Sequence, residues 1–284
     1  MSVNKIGLGT VQFGMDYGIS NNLGKTSFDE SQKIVNILLK NNINYIDTAS
    51  AYGNAEKILG NIGVNKFNII SKFRSKNIFD LETEFSQTLK DLKSPKLYGY
   101  LSHNPDDLIS NPLLWNKLIE FKKRSLIDKI GFSFNNIKQI DEVIKKNLIP
   151  DLVQIPYNLF DQRFLKKIYF LKNKYSTEIH SRSVFLQGLF FMKEDELHGS
   201  LNEFKENINY LNNICNYDKQ KILSLAINFC LNNEIIDKVI IGTQNANQLN
   251  EIINSVSLST EIDIENLNFI NNSKIKTLLD PSKW

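Results

Sequence analysis

The stretch NYIDTASAYGNAEKILG, residues 44–60, ends an apolar run on an acid, Asp47, and presents Tyr52 on a turn of small residues just beyond it. A carboxylate at the end of a buried strand is costly unless something positive neutralises it. Lys72 ends the next apolar run, NIISKF, and is the natural partner. An ammonium held against a tyrosine favours the phenolate and lowers the phenol's pKa from its ordinary value of about 10. Such a phenol can donate a proton near neutral pH or hydrogen-bond a developing oxyanion. His103, in YLSHNP one run further on, could orient a carbonyl or share the proton. A buried Asp–Lys bridge with an incidental tyrosine and histidine would use the same residues, and spacing alone leaves both readings open.

The elements that must position these groups alternate along the whole chain. Short β-type runs (KIGLGT, NYIDT, FNIISKF, LYGYLSHN, KIGFSF, LVQIPYN, EIHSRSV, KVIIGT) are separated by longer amphipathic ones such as SFDESQKIVNILLKNN and FDLETEFSQTLKDL. Ile34, Leu38 and Leu39 recur at helical spacing, and Ser27 with Glu30 reads as a capping box. Eight strand–helix units without a linker predict an α/β fold, a (β/α)8 TIM barrel, as one domain over residues 1–284. A doubly wound open sheet is the alternative. GLGTVQFG lacks the GxGxxG spacing, and no ordinary helix is expected directly after it. It reads equally as a glycine-lined lip beside a ligand or as a tight turn. In a barrel, chemistry sits where strands run into the following loops. Asp47, Lys72, His103, Ser133, Gln154, His180 and Arg182 all fall at such ends.

Composition narrows the classes. The 284 residues are 42% hydrophobic with a net charge of only +3, which gives no argument for nucleic acid or a membrane surface. Cys215 and Cys230 lack metal-type spacing and read as buried, inert thiols in a reduced compartment. The N-terminal MSVNKIGLGT has no signal-peptide pattern, and the expected location is cytoplasmic. His103 and His180 form no H-x-H pair, so no metal is expected. The polar surroundings of His198 mark a solvated loop, and the oligomeric state is open.

LGTVQFG, YIDTASAYG, IISKF, YLSHNP, KIGFSF, VQIPYN and VIIGTQNANQL occur in the order in which the aldo-keto reductases carry similar motifs, and the chain resembles that family from about Lys5 to Ile253. The resemblance implies a metal-free oxidoreductase passing a hydride between a nicotinamide cofactor and the carbonyl or alcohol of a small molecule. It makes Tyr52 the general acid, Lys72 its tuner, Asp47 the holder of Lys72, and His103 the group that positions the carbonyl oxygen. It assigns Ser133 and Gln154 to the nicotinamide carboxamide. Gly9, Thr10, Asp47, His180 and Ser181 are further cofactor contacts. Gly242, Thr243, Gln244 and Gln248, with the helix after them, take the adenosine phosphate end. Phe13 and Arg182 are candidate substrate contacts; Arg182 could take a substrate carboxylate or phosphate by a bidentate contact or pair with a nearby Asp or Glu of the loops, and residue type leaves both open.

Three departures from the family pattern stand out. His180 stands where many relatives have a tyrosine that stacks on the nicotinamide. Phe134 stands where many have asparagine. GTQNANQLNEI offers no Lys or Arg for the ribose 2′-phosphate of NADP. NADP is expected narrowly ahead of NAD, on family habit. IHSRSVFLQG is similar to members associated with bacterial surface-sugar biosynthesis, which implies a sugar or nucleotide-sugar carbonyl. Two competing readings remain at this point. One is a cofactor-binding regulatory protein with little turnover. The other is a barrel hydrolase or lyase using a metal or a Schiff-base lysine, although a lysine paired with an acid stays charged and is a poor nucleophile.

Overall fold

The structure, a computed structural model, describes residues 3–258, 262, 267–280 and 283–284. Eight parallel strands close on themselves: β1 (Ile6–Gly9), β2 (Tyr45–Asp47), β3 (Asn68–Phe73), β4 (Leu97–Ser102), β5 (Ile127–Ser133), β6 (Leu152–Pro156), β7 (Glu178–Arg182) and β8 (Lys238–Gly242). Each pairs with the next, and β8 pairs back onto β1 through Ile6↔Val239 to Gly9↔Gly242. The sheet has no open edge, so the doubly wound alternative falls and the (β/α)8 barrel stands.

The helices that wrap it are α1 (Val11–Gly14), α2 (Phe28–Lys40), α3 (Ala55–Ile62), α4 (Ile78–Leu92), α5 (Pro105–Ser110), α6 (Leu113–Lys123), α7 (Ile137–Lys145), α8 (Leu165–Tyr175), α9 (Lys205–Ile214), α10 (Lys219–Leu231), α11 (Ala246–Ser255) and α12 (Ser273–Leu278). None of the described helices is long and apolar enough to cross a membrane. The single turn α1 lies inside GLGTVQFG, and no helix follows that stretch before α2, as expected. Its backbone can coil there because Gly14, at its end, fits a space that no side chain could enter.

α2 shows how sequence and packing agree, and where they part. Ile34, Val35 and Leu38 are buried on its inner stripe, whereas Leu39 is 45% exposed at the rim. Ser27 caps the helix by accepting the Glu30 N–H at 3.3 Å. The return half of the expected capping box is absent, because the Glu30 carboxylate reaches away to the N-terminus of α11.

Two apolar layers hold the barrel. Ile70, Leu101 and Leu152 fill its axis above Tyr45 and Tyr98. A far larger shell joins the outer strand faces to the helices, from Ile34 and Phe85 to Leu225 and Ile252. Cys215 and Cys230 are free and buried in that shell, which pushes the Cys215 thiol up to about 11 and the fully buried Cys230 thiol higher still and leaves them unreactive.

Candidate active site

Side chains alternate across each strand, so a polar residue two positions beyond an axial apolar one lands near the barrel mouth. Lys72 follows Ile70 in this way, and Gln154 follows Leu152. Asp47 is the last residue of β2. The Lys72 ammonium, fully buried, donates to Asp47 Oδ1 at 2.5 Å, to the Thr48 carbonyl at 3.0 Å and to Tyr52 Oη at 3.4 Å. Burial works against its charge, but the Asp47 carboxylate and Tyr52 outweigh it, and its pKa ends above the ordinary lysine value. Asp47 spends its second oxygen on Gln154 Nε2 at 2.8 Å, which satisfies both oxygens of the buried carboxylate.

A lysine ammonium has no lone pair to accept with. At the Lys72 contact, Tyr52 Oη is therefore the acceptor, and its own O–H stays free for the half-exposed side of the ring. The His103 ring meets the Tyr52 ring edge-on, with centroids 5.7 Å apart. Burial, with Lys72, Arg74 and Arg182 nearby, depresses the His103 pKa to about 3. The imidazole is thus neutral at working pH. Its Nδ1 is buried without a partner among the described residues. Placing the proton on Nε2 spares a buried orphan N–H there and gives the mouth a neutral donor. Asp47, Tyr52, Lys72 and His103 are brought together.

The tyrosine is positioned by close backbone contacts and a carboxylate clamp. A Cβ on Gly14 would lie 1.6 Å from the Tyr52 carbonyl oxygen. Gly53, with φ +56°, answers from the other side, its Cβ position 2.5 Å from the Gly14 carbonyl oxygen. Glu84 on α4 accepts from the hydroxyls of Ser50 and Ser75 and from the Arg74 N–H at 3.1 Å. Ser50 in turn donates its N–H to the Lys72 carbonyl at 3.1 Å. Gly14→Ala is expected to cost about 1–3 kcal/mol of stability as the overpacked turn moves. It should also lower kcat about tenfold by shifting Tyr52, since small displacements of a reacting group are amplified in rate. Denaturant unfolding and steady-state kinetics on one preparation check both.

Ser133 and Gln154 are the expected carboxamide pair. They are register neighbours on β5 and β6 and are almost fully buried. The Ser133 hydroxyl and Gln154 Oε1 have no partner among the described residues. A primary carboxamide, with one acceptor and two donors, matches those two unspent groups. The remaining expected cofactor contacts divide. Thr10 is buried and hydrogen-bonds the Asp47 carbonyl, so it supports β2. Gly9 lies beside it in register with Asp47. Gly242 is exposed at the end of β8, and a Cβ there would meet the Gln12 amide at 2.8 Å. Thr243, Gln244 and Gln248 interlock. Gln248 Oε1 accepts the Gln244 N–H at 2.9 Å, and Thr243 Oγ1 donates to the Asn245 carbonyl at 2.9 Å.

Three expectations shift. His180 faces the barrel axis but is fully buried below the mouth. Its Nε2 is 2.6 Å from Glu178 Oε1, and its ring lies edge-on to Tyr45. Glu178 also binds Tyr98 at 2.6 Å and pairs with Lys129. This network, held in the floor by the charge of Glu178, draws the imidazole away from any stacking position. Ser181 alternates to the outer face of β7, fully buried, with its Oγ 3.5 Å from the Lys238 carbonyl. Phe13 is fully buried in the apolar shell and offers no surface to a substrate. The residue of β7 that reaches the mouth is Arg182.

Sequence reading missed Gln12, whose Oε1 is buried and unpartnered among the described residues against Gly242. A glutamine inside VQFG, between apolar residues, was its only signal. It also missed Glu84 and the second role of Glu30, because a contact across elements leaves no local pattern.

With this geometry in place, the comparisons with known proteins agree. A profile of the aldo/keto reductase family matches residues 5–274. An uncharacterised oxidoreductase of Schizosaccharomyces pombe is 32% identical over 78 residues, a match that spans 27% of this chain and only 28% of that protein. An aldo-keto reductase of Bacillus halodurans, in its holo form, superposes with a TM-score of 0.73 at 18% identity, covering 97% of this chain and 92% of the other. A putative aldo-keto reductase of Pseudomonas aeruginosa gives 0.68 at 20% identity, with 89% of each chain covered. At those identities the two structures speak for the fold.

Proposed function

The chain belongs to the aldo/keto reductase family, and from that premise we propose that it is a nicotinamide-dependent reductase of a small carbonyl compound, working with NADH in preference to NADPH. The observation that carries the reading is the buried Lys72 ammonium between Asp47 at 2.5 Å and Tyr52 at 3.4 Å, with His103 against the same phenol. A pure binder has no use for a proton donor held in this way. Asp47 spends both oxygens on Lys72 and Gln154, which leaves the ammonium charged and a poor Schiff-base former.

When bound, the nicotinamide supplies the hydride. The chain's own residues do the rest. Ser133 and Gln154 hold the carboxamide. His103, neutral, donates a hydrogen bond to the carbonyl oxygen and orients it. Tyr52 delivers its O–H proton to that oxygen. The Lys72 ammonium stabilises the negative charge that grows on the phenol as the proton leaves.

The preference for NADH rests on the seat expected for the adenosine end. Glu30 Oε1 accepts the Ala246 N–H, the first of α11, at 2.7 Å. That bond holds the carboxyl below the usual range, so it is ionised at working pH. Asn245 Oδ1 takes the Gln248 N–H at 2.9 Å. A carboxylate therefore already sits at the helix N-terminus, where an anion would be attracted; no Lys or Arg lies in residues 243–248, and the exposed Lys33, 3.0 Å from Glu30 Oε2, offsets only part of its charge. A ribose 2′-phosphate entering there meets repulsion, whereas a ribose hydroxyl meets acceptors. The family habit that put NADP first in the sequence reading weighs less than this carboxylate.

The test is a fluorescence titration with both cofactors, followed by cofactor oxidation against a panel of aldehydes and ketoses. NADH is expected to bind about tenfold more tightly than NADPH. Glu30→Gln should narrow the gap, chiefly by tightening NADPH. Tighter NADPH binding by the unaltered protein would reverse the cofactor assignment. Cofactor binding with no turnover of any carbonyl would favour a regulatory barrel.

A sugar or nucleotide-sugar carbonyl fits the IHSRSVFLQG resemblance, and such substrates belong in the panel.

A further inference from the structure

We propose that the barrel mouth contains an anion subsite built on Arg182 with Arg74 beside it, so that the preferred carbonyl substrate carries a carboxylate or phosphate group. The inference rests on the reductase reading and adds the chemical class of what is reduced.

Arg182 is the last residue of β7, paired with Pro156 of β6, and lies on the same face as His180 two residues closer to the mouth. Its guanidinium is half-buried and held by neutral oxygens alone. One terminal nitrogen donates to the Phe134 carbonyl at 3.1 Å and to Asn135 Oδ1. The other donates to Ser183 Oγ at 3.1 Å. Three of the five N–H donors of the fork are thus used; the two that remain, one on Nε and one on the second terminal nitrogen, lie on different edges, so an anion takes one of them together with the charge of the guanidinium. The β5–α7 loop fixes the plane of the fork, so little rotamer freedom is left to lose when an anion binds.

The charge also has no direct counter-ion. No Asp or Glu forms an ion pair with Arg182 among the described residues. The nearby, fully buried Asp161 pairs through Oδ1 with Arg163, whose Nε lies 3.2 Å from it, and offsets part of the Arg182 charge only from a distance. Arg74, exposed and without an ion pair among the described residues, follows β3 directly. It stands beside His103, whose N–H bonds the Phe73 carbonyl at 2.9 Å. Glu84, bonded to the Arg74 backbone amide, offsets part of that charge, which leaves Arg182 as the principal contact. Lys72 is already neutralised by Asp47. Arg74 and Arg182 both act on the His103 imidazole, which places them around the carbonyl-positioning residue rather than at the distant adenosine end. A mouth with this field draws in an anion and holds its carbonyl end toward Tyr52.

Matched substrates test the idea with the full chain and NADH. Glyceraldehyde is compared with glyceraldehyde 3-phosphate, and benzaldehyde with 4-carboxybenzaldehyde. The expected result is a kcat/KM about tenfold or more higher for the charged member of at least one pair, and the larger preference tells phosphate from carboxylate. Arg182→Gln should collapse that ratio toward one, mainly through KM of the charged member. Arg182→Lys, which keeps the charge and loses the fork, should retain part of it, and Arg74→Gln should lower it by a smaller factor. A ratio near one in the unaltered enzyme overturns the subsite. So does an equal loss for both members of a pair, or a rise in the NADH Kd that accounts for the loss. If NADH binds but no aldehyde is turned over, the reductase reading fails separately. The subsite is then measured by titrating NAD⁺-saturated protein with malonate and with inorganic phosphate. Binding that Arg182→Gln removes supports it, and absent or unaltered binding overturns it.

Discussion

Tyr52→Phe is expected to lower kcat by about two to four orders of magnitude, the contribution of a positioned general acid. Cofactor affinity and folding stability should stay close to those of the unaltered protein. The reasons are local. The phenylalanine ring keeps the shape that meets His103 edge-on, and Lys72 retains its two closer partners, Asp47 at 2.5 Å and the Thr48 carbonyl at 3.0 Å. Only the longest of its three bonds, 3.4 Å to the phenol, is lost. No neighbour can take over the proton delivery. His103 is the nearest candidate, but burial and the surrounding cations hold its pKa at about 3, so it carries no spare proton to give at neutral pH. For the same reason, the pH profile of the unaltered enzyme should show no limb from His103 between pH 6 and 7. Stopped-flow measurement of a single turnover with saturating cofactor separates the chemical step from product release. Turnover by Tyr52→Phe at the normal rate in that experiment would remove the tyrosine from the mechanism.

How much of this was legible in the sequence depends on the range of the interaction. All eight strands lie within the runs read from the sequence or overlap them, because in a parallel barrel each is buried on both faces and reads as a dense apolar stretch. Asp47, Tyr52, Lys72 and His103 stood out because each ends or follows such a stretch, and neighbouring strands in a closed barrel bring their ends together. The misreadings have a different origin. His180 and Arg182 are both inward residues of β7, and the sequence does not say which layer meets the mouth. What decides it is Glu178, whose carboxylate binds the imidazole from below. Glu30 looked like half of a capping box, a local motif, but its carboxylate found a helix N-terminus more than two hundred residues away in sequence. Gly14 and Gly53 were visible as glycines, yet only the fold shows that each makes room for the backbone that carries Tyr52.

The buried pair itself gives the other large effect. Lys72→Met should destabilise the protein by about 3–5 kcal/mol and also lower kcat by at least about a hundredfold. The stability loss arises because Asp47, 3% exposed, is left with the Gln154 amide and no positive charge. The rate loss arises because the phenol loses the ammonium that stabilises its developing charge. A single variant confounds the two, since a partly unfolded enzyme is also a slow one. The double variant Lys72→Met/Asp47→Asn separates them. Removing both charges leaves a neutral amide that can still bond Gln154. Replacing a buried ion pair by uncharged groups of similar volume is often close to neutral for stability. The double variant should therefore regain most of the lost stability in urea, a non-additive outcome expected of residues in direct contact. Its kcat should stay low, because nothing positive has been returned to Tyr52. If activity recovers along with stability, Lys72 is a structural counter-ion and the phenol needs no help from it. If neither recovers, the Asp47 carboxylate has a role of its own in holding β6 at the mouth, through Gln154.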